Sequence, residues 1–326
     1  MDLQLMTQYK QCLDRAKLWS LKSITVEGNL EGNIDDLLAY YALPYLYANL
    51  GLKEEAYRMI NYLLHSFSTQ DGGLRRKLSD STHQPLAEQL PKIMSWIAIA
   101  AHAIGRFDVS YTYSKYLRRY YDPDQGAFTT IAPYGSIDAV LDLFSSTMLG
   151  WFALYTGDMK KAQRAGNFLQ RCISLQSTKD QIFYLRLEQD GRIITSFPSE
   201  QSRFYMVTAQ NTDHNVHYLS TPVIFLAKLY QATHEESYLR TAQSYFETAY
   251  QYHPSIEPNM VWGAAILANI TKEARYIHKA KKGAEQIVST QDEAGHWPSQ
   301  DRTMYHYNTA IKAIALSEVL MELSTT

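Results

Sequence analysis

The residues best equipped for chemistry gather just ahead of apolar stretches. The densest group runs from Gln210 to Tyr218 and leads into Val223–Tyr230. It contains Asp213, His214, His217 and Tyr218, with Tyr205 a few residues upstream. Histidine is the side chain whose proton moves near neutral pH, so His214 is expected to do acid–base work. Asp213, His217, Tyr218 and Tyr205 are expected to bind substrate, or Asp213 to cap a helix. His214 and His217 lie three residues apart and could share a helix face toward a metal, but two histidines without a placed third ligand are a weak metal signal and no metal is expected. A second group holds Asp35, Asp36, Tyr40 and Tyr41, and a third pairs Glu88 with Lys92 one helical turn apart. That third pair reads equally as a satisfied ion pair. In a fourth group, Asp138 and Asp142 also stand one turn apart. Two carboxylates so close can divide into an acid and a base, unless one simply caps the helix. Trp262 beside Gly263, and Tyr305 with His306, complete the set. His306 reads as a substrate contact or as a packed histidine.

The elements that must hold these groups are helical. Apolar residues recur mainly at i, i+3, i+4 and i+7, and glycine (15) and proline (10) are scarce for 326 residues. This pattern predicts twelve helices, over 2–19, 34–50, 53–68, 85–104, 107–121, 136–156, 158–176, 214–232, 235–251, 258–270, 272–290 and 304–323. Gln181–Leu187 and Arg192–Phe197 flank Asp190-Gly191, which predicts one inserted β-hairpin with a type I′ turn. Odd-numbered helices are amphipathic, and even-numbered ones are apolar nearly all round. A helix apolar on every face is buried on every face. Six exposed–buried pairs suggest two concentric layers in one domain spanning 1–326, with an open helical solenoid as the alternative.

Composition narrows the function. Thirty-one basic against 33 acidic residues leave a net charge of −2, so no field for nucleic acid or an anionic membrane is expected. No apolar run reaches the length of a bilayer span, and the first ten residues lack a signal-peptide pattern. Two distant cysteines, Cys12 and Cys172, fit a reducing cytoplasm and give no zinc-ligand spacing. Glycine-rich nucleotide loops, nucleophile elbows and His-Glu-x-x-His are absent, so no cofactor is expected. The expected partner is a small-molecule substrate, and the chain could form a homo-oligomer. Twenty-five tyrosines against 11 phenylalanines and 5 tryptophans are unusual. They are expected partly between helix layers, with hydroxyls reaching water, and partly at the starts of the apolar helices.

A repeat signature adds a resemblance. Lys282-Gly283, Gln291 and Gly295-x-Trp297 form one copy, with weaker echoes at Ser68–Leu74, at Tyr121–Phe128 and from Gly166 to Gln176. These residues resemble the QW motif of the terpenoid cyclase and protein prenyltransferase superfamily, although Gln286 stands where an aromatic is usual. Asn33-Ile34-Asp35-Asp36 looks like that superfamily's Asp-x-Asp-Asp proton-donor motif, with Asn33 in place of the first aspartate. The resemblance implies an all-α fold, a closed (α/α)6 toroid of six helical hairpins. In it the buried helices line a cavity and their starts share one rim. It places a proton donor on Asp35.

The expected function is therefore a cofactor-independent acid–base isomerase or cyclase acting on a terpenoid- or natural-product-like substrate. Asp35 or Asp138 would donate a proton and His214 would take or relay one. Tyr41, Tyr205, Tyr218, Trp262 and Tyr305 would shape the pocket. The first alternative is a sugar epimerase, glycoside hydrolase or lyase using Asp36 with Asp138. The second is a non-catalytic helical-repeat binding protein. A pocket of apolar and aromatic walls would favour a hydrocarbon-like substrate, and paired Asp, Arg and Asn groups would favour a sugar.

Overall fold

The computed structural model describes residues 3–32, 34–78, 87–177, 181–209, 216–253, 257–299, 301 and 304–324. The helices among them are α1 (Leu3–Lys22), α2 (Leu43–Asn49), α3 (Lys53–Phe67), α4 (Leu90–Ala103), α5 (Phe107–Leu117), α6 (Leu143–Tyr155), α7 (Met159–Ser174), α8 (Ser202–Tyr205), α9 (His217–Thr233), α10 (Glu236–Tyr252), α11 (Pro258–Thr271), α12 (Ala274–Ser289) and α13 (Met304–Leu323). Six short strands accompany them: β1 (Tyr121–Asp122), β2 (Ala127–Phe128), β3 (Leu141–Asp142), β4 (Ile182–Tyr184), β5 (Arg186–Leu187) and β6 (Met206–Thr208).

Exposed and buried helices alternate as the hydrophobic period requires. In α3 the buried residues Ala56, Met59, Ile60, Leu63 and Phe67 form one stripe. By contrast, every residue from Leu143 to Ala153 of α6 and from Met260 to Ala268 of α11 is buried. Internal packing groups the chain into two compact units, one of Met1–Tyr116 with His278–Thr326 and one of Leu117–Ile277. In the first unit α2 packs beside α4 and α13, while α3 packs against α2 and α4, and α1 against α13. In the second, α9 packs beside α6 and α11, while α7 packs against α6, and α10 against α9.

One turn recurs four times among the described residues. At 25–29, 69–73, 188–192 and 292–296 the first amide donates to the fifth carbonyl, and the fourth residue's amide donates back to the first carbonyl. That fourth residue is Gly28, Gly72, Gly191 or Gly295, each with φ between +87° and +97°. The QW-like copy belongs to this series and ties α1 to the end of α12. The Gln291 amide nitrogen donates to the carbonyls of Cys12 and Gly295 at 2.9 Å, and its oxygen accepts Arg15 Nη2 at 2.6 Å. Trp297 is fully buried and donates its indole N–H to the Ile287 carbonyl at 2.8 Å. Asp190-Gly191 is thus this repeat turn rather than a type I′ hairpin turn. The expected pairing across it is reduced to one bridge, Leu187 to Ile193. Instead β4 pairs antiparallel with β6, and β5 with β3.

Two expected helices are shorter than their sequence pattern. Residues 34–36 are not helical: Asp36 bridges Lys77, and a single 3-10 turn (Leu37–Ala39) precedes α2. Residues 136–140 are not helical, Asp142 lies in β3, and α6 starts only at Leu143. The reason in both places is a backbone partner outside the helix. The Leu37 amide donates to Arg76, and that of Leu143 to Leu185.

The tyrosines divide differently from expectation. Tyr57 is exposed, but Tyr245, on α10, is fully buried and donates its hydroxyl to the Leu169 carbonyl of α7 at 2.9 Å. Tyr47 does the same to Ser20 and Tyr9 to Lys281. Many ring hydroxyls therefore stitch neighbouring helices together rather than reaching water.

Candidate functional site

In the first unit three buried-helix starts meet through aromatic rings. Tyr41, just ahead of α2, lies 5.3 Å from Tyr307 in the first turn of α13. Lys92, in the first turn of α4, holds its ammonium 5.4 Å from the Tyr41 ring and 5.6 Å from the Tyr307 ring. These are cation–π distances. Glu88 is half-buried in the 3-10 turn that precedes α4. Asp36 is buried, but its carboxylate is committed. Oδ1 accepts the Leu38 amide at 3.0 Å as a helix cap, and Oδ2 accepts the Arg76 guanidinium at 3.2 Å. Asp35 is half-buried in the extended segment, with its carbonyl accepting the Leu78 amide. The two aspartates therefore do not share a helix face, and Asn33 lies outside the described residues.

His306 is a packed histidine. Its ring lies 4.8 Å from that of Trp19 on α1, and Trp19 stacks at 4.9 Å on His296. Burial, with His296 adding its charge, pulls the His306 imidazole down from 6.5 to about 4. Tyr305 packs 5.1 Å from His296, whose Nδ1 meets Asp292 Oδ2 at 2.8 Å. This group lies between α1, the turn after α12, and α13.

In the second unit the starts of α6, α9 and α11 are joined by a continuous run of contacts. Asp142 caps α6, its Oδ2 accepting the Ser145 amide at 2.7 Å and hydroxyl at 2.8 Å. Its Oδ1 faces Arg186 Nε at 3.4 Å. Arg186 is only 3% exposed, and its guanidinium lies 4.4 Å from the centre of the Tyr205 ring, which stacks on Phe197. In the first turn of α6, Phe144 meets the α9 start edge-on, 4.9 Å from Tyr218 and 5.5 Å from His217. Ser220 and Thr221, next along α9, reach α11. The Ser220 hydroxyl donates to Glu257 Oε2 at 2.7 Å, and Asn259 Nδ2 donates to the Thr221 hydroxyl at 3.3 Å.

The sequence-predicted residues thus have different positions. Tyr41 sits in the first cluster, and Tyr205, His217 and Tyr218 sit in the second. His214 and Asp213 lie outside the described residues. Asp138 is exposed in a turn while Asp142 is buried, so the expected one-turn carboxylate pair on a helix face does not form. Trp262 is 1% exposed, packed 5.3 Å from Trp151 with the Lys228 ammonium 5.6 Å from its ring, and belongs to the core. Among the described residues no three His, Cys, Asp or Glu side chains are grouped to hold a metal ion. Nor is any described helix long and apolar enough to cross a membrane.

Arg186 and Glu257 are not among the residues that the sequence pattern singles out. A charged residue inside Ile182–Leu187 was a signal for the first. Pro258, favoured at the first position of a helix, marked Glu257 as the residue at a buried-helix start.

No protein-family model matches the chain, and no curated protein matches its sequence. Solved structures do. A D-mannose isomerase superposes with a TM-score of 0.74 at 15% identity, over 97% of each chain. A GH76 α-mannanase of Bacteroides thetaiotaomicron gives 0.66 at 12%, over 96% of this chain and 95% of that one. A type II terpene cyclase from Scytonema, in complex with geranylgeranyl dihydroxybenzoate, gives 0.60 at 12% over the whole of both chains. These likenesses show the fold: the chain is an all-α protein with the α/α-toroid fold that this isomerase, this glycoside hydrolase and this cyclase share.

Proposed function

We propose that the chain is a single-domain enzyme, a cofactor-independent acid–base isomerase, and that its substrate is a small polyhydroxylated molecule of the sugar type. The observation that carries this reading is the run of polar and aromatic contacts across the starts of α6, α9 and α11. It brings His217, Tyr218, Asn259, Glu257 and Arg186 to the ends of helices that are otherwise apolar. Convergent polar groups of this kind orient hydroxyls and a carbonyl, whereas a hydrocarbon needs bare walls. His217, with His214 beside it in sequence, would move a proton between neighbouring carbons next to a carbonyl.

One observation weighs against the cyclase expectation: the tyrosine faces at the first unit's helix starts are already met by the Lys92 ammonium. A carbocation brought to those rings would face a fixed positive charge. The paired-carboxylate glycosidase reading loses support from the exposure of Asp138. That two of the similar structures are named as a mannose isomerase and a mannanase supports a sugar-like substrate. The buried free thiols of Cys12 and Cys172 support a reducing, cytoplasmic setting.

The test is to incubate the protein with a panel of aldoses and ketoses, with a prenylated aromatic acid as control, and to follow products by NMR. Aldose–ketose interconversion is expected. Cyclisation of the prenylated acid without sugar turnover would overturn the reading.

A further inference from the structure

We propose that Glu257 is the second proton-transfer group of this enzyme, moving the hydroxyl proton while the α9 histidine moves the carbon-bound one. The assignment rests on the isomerase reading above and on the geometry of one helix start. Glu257 is the residue immediately before Pro258, so it occupies the N-cap position of α11 with φ −74° and ψ 144°. A side chain there ordinarily turns back to its own helix amides. The Glu257 side chain makes no such cap bond. It reaches across to α9 instead, where the Ser220 hydroxyl donates to Oε2 at 2.7 Å. Ser220 is fully buried while Glu257 is half-buried, so a solvent-shielded hydroxyl holds the carboxylate.

Ser220 stands three residues after His217 on α9, about 4.5 Å along the helix axis and on the same face. The backbone between them is pinned from the same direction. Thr221 donates its hydroxyl to the His217 carbonyl at 2.7 Å and accepts Asn259 Nδ2 from α11. Glu257 is thus held by Ser220 one turn along α9 from His217, whose ring packs on Phe144 of α6 and on Tyr218. Such placement on rigid elements is what a proton-transfer pair needs.

An aldose–ketose interconversion balances on these two groups without an oxidant. His217 takes the proton from C2, the C–H electron pair forms the C1=C2 bond, and the carbonyl π pair moves onto O1. Glu257 takes the proton from O2 and delivers it to O1. The imidazolium then returns its proton to C1 as the O2 pair closes the new carbonyl at C2. One proton has moved from C2 to C1 and one from O2 to O1.

The experiment uses the full chain in D2O with D-mannose, D-glucose and D-fructose as probes, reading product formation and carbon-bound deuterium by NMR. Glu257→Gln keeps an acceptor for Ser220 but cannot carry the proton. Its product formation should fall about 100-fold. Exchange at C2 should fall less, so that the exchange-to-product ratio rises at least about tenfold. Equal loss of exchange and product, or no loss of either, would make Glu257 a structural cross-link and overturn the proposal. Should Glu257→Gln not fold, Ser220→Ala carries the test. By releasing the carboxylate it should raise the same ratio, and an unchanged ratio overturns the assignment. A wild type that exchanges no carbon-bound hydrogen with any of the three sugars sinks the isomerase reading itself. A wild type that does exchange, beside an unaltered Glu257→Gln, sinks only the role of Glu257.

Discussion

Replacing Asp142 should cost far more than a surface carboxylate, and the cost divides into two parts that separate variants can measure. The carboxylate caps α6 through the Ser145 amide and faces the Arg186 guanidinium at 3.4 Å. Loss of a cap costs about 1 kcal/mol. Loss of the charge leaves Arg186, only 3% exposed, as a buried cation whose carboxylate partner is gone. Breaking a buried pair costs about 3–5 kcal/mol, and the long contact and the Tyr205 ring 4.4 Å away place this one near 3 kcal/mol. Asp142→Ala should therefore lose about 4 kcal/mol. Asp142→Asn, which still caps, should lose about 3 kcal/mol. Asp142→Ala with Arg186→Met should recover most of the second part and lose only about 2 kcal/mol. Urea unfolding of wild type, Asp142→Ala, Arg186→Met and the double variant closes the cycle; Arg186→Met alone should lose about 1 kcal/mol, because Asp142 keeps both bonds to Ser145, so the expected coupling is about 3 kcal/mol. An Asp142→Asn protein within about 0.5 kcal/mol of wild type, or strictly additive losses, would refute the buried-pair reasoning.

His306 gives a pH dependence. Its folded value of about 4 lies below the ordinary 6.5, so the fold favours the neutral ring. That stability is complete above pH 6.5 and is lost as pH falls toward 4, by up to about 3 kcal/mol. Urea unfolding between pH 7 and 4 should show the loss in wild type and a shallower slope in His306→Phe. Gly295→Ala should be strongly destabilising, by about 3 kcal/mol, since φ is +97° and the added Cβ would meet the Arg15 carbonyl oxygen at 2.6 Å. Thermal melting reads it directly, and a melting point unchanged from wild type would contradict the account of the repeat turn. Tyr245→Phe should lose about 1–2 kcal/mol in urea, because the buried Leu169 carbonyl is left without its donor.

The helical framework is legible because its signal is redundant: buried helices such as α6 and α11 are apolar nearly all round. The repeat turn was legible at Gly295 and Gly72, where Gln and Asp accompany the glycine. It was misread at Gly191 because Asp-Gly is also a hairpin signal, and local sequence does not say that β4 pairs with β6. The sequence pattern puts Asp35 and Asp138 on helices that in the structure start later, at Leu43 and Leu143. There, strand-like bonds from Leu37 to Arg76 and from Leu143 to Leu185 outcompete helical ones, and their partners are distant in sequence. Histidine and tyrosine at the start of α9 were visible as types in a cluster. What holds them is not, since their ring partner Phe144 comes from another helix.

The most direct test of the acid–base account is solvent hydrogen appearing on carbon. Aldoses and ketoses incubated with the protein in D2O should gain deuterium at the carbon beside the carbonyl, and His217→Ala, still folded by its melting curve, should abolish it. Exchange that persists undiminished in His217→Ala, or a wild type that leaves every carbon-bound proton in place, would contradict it.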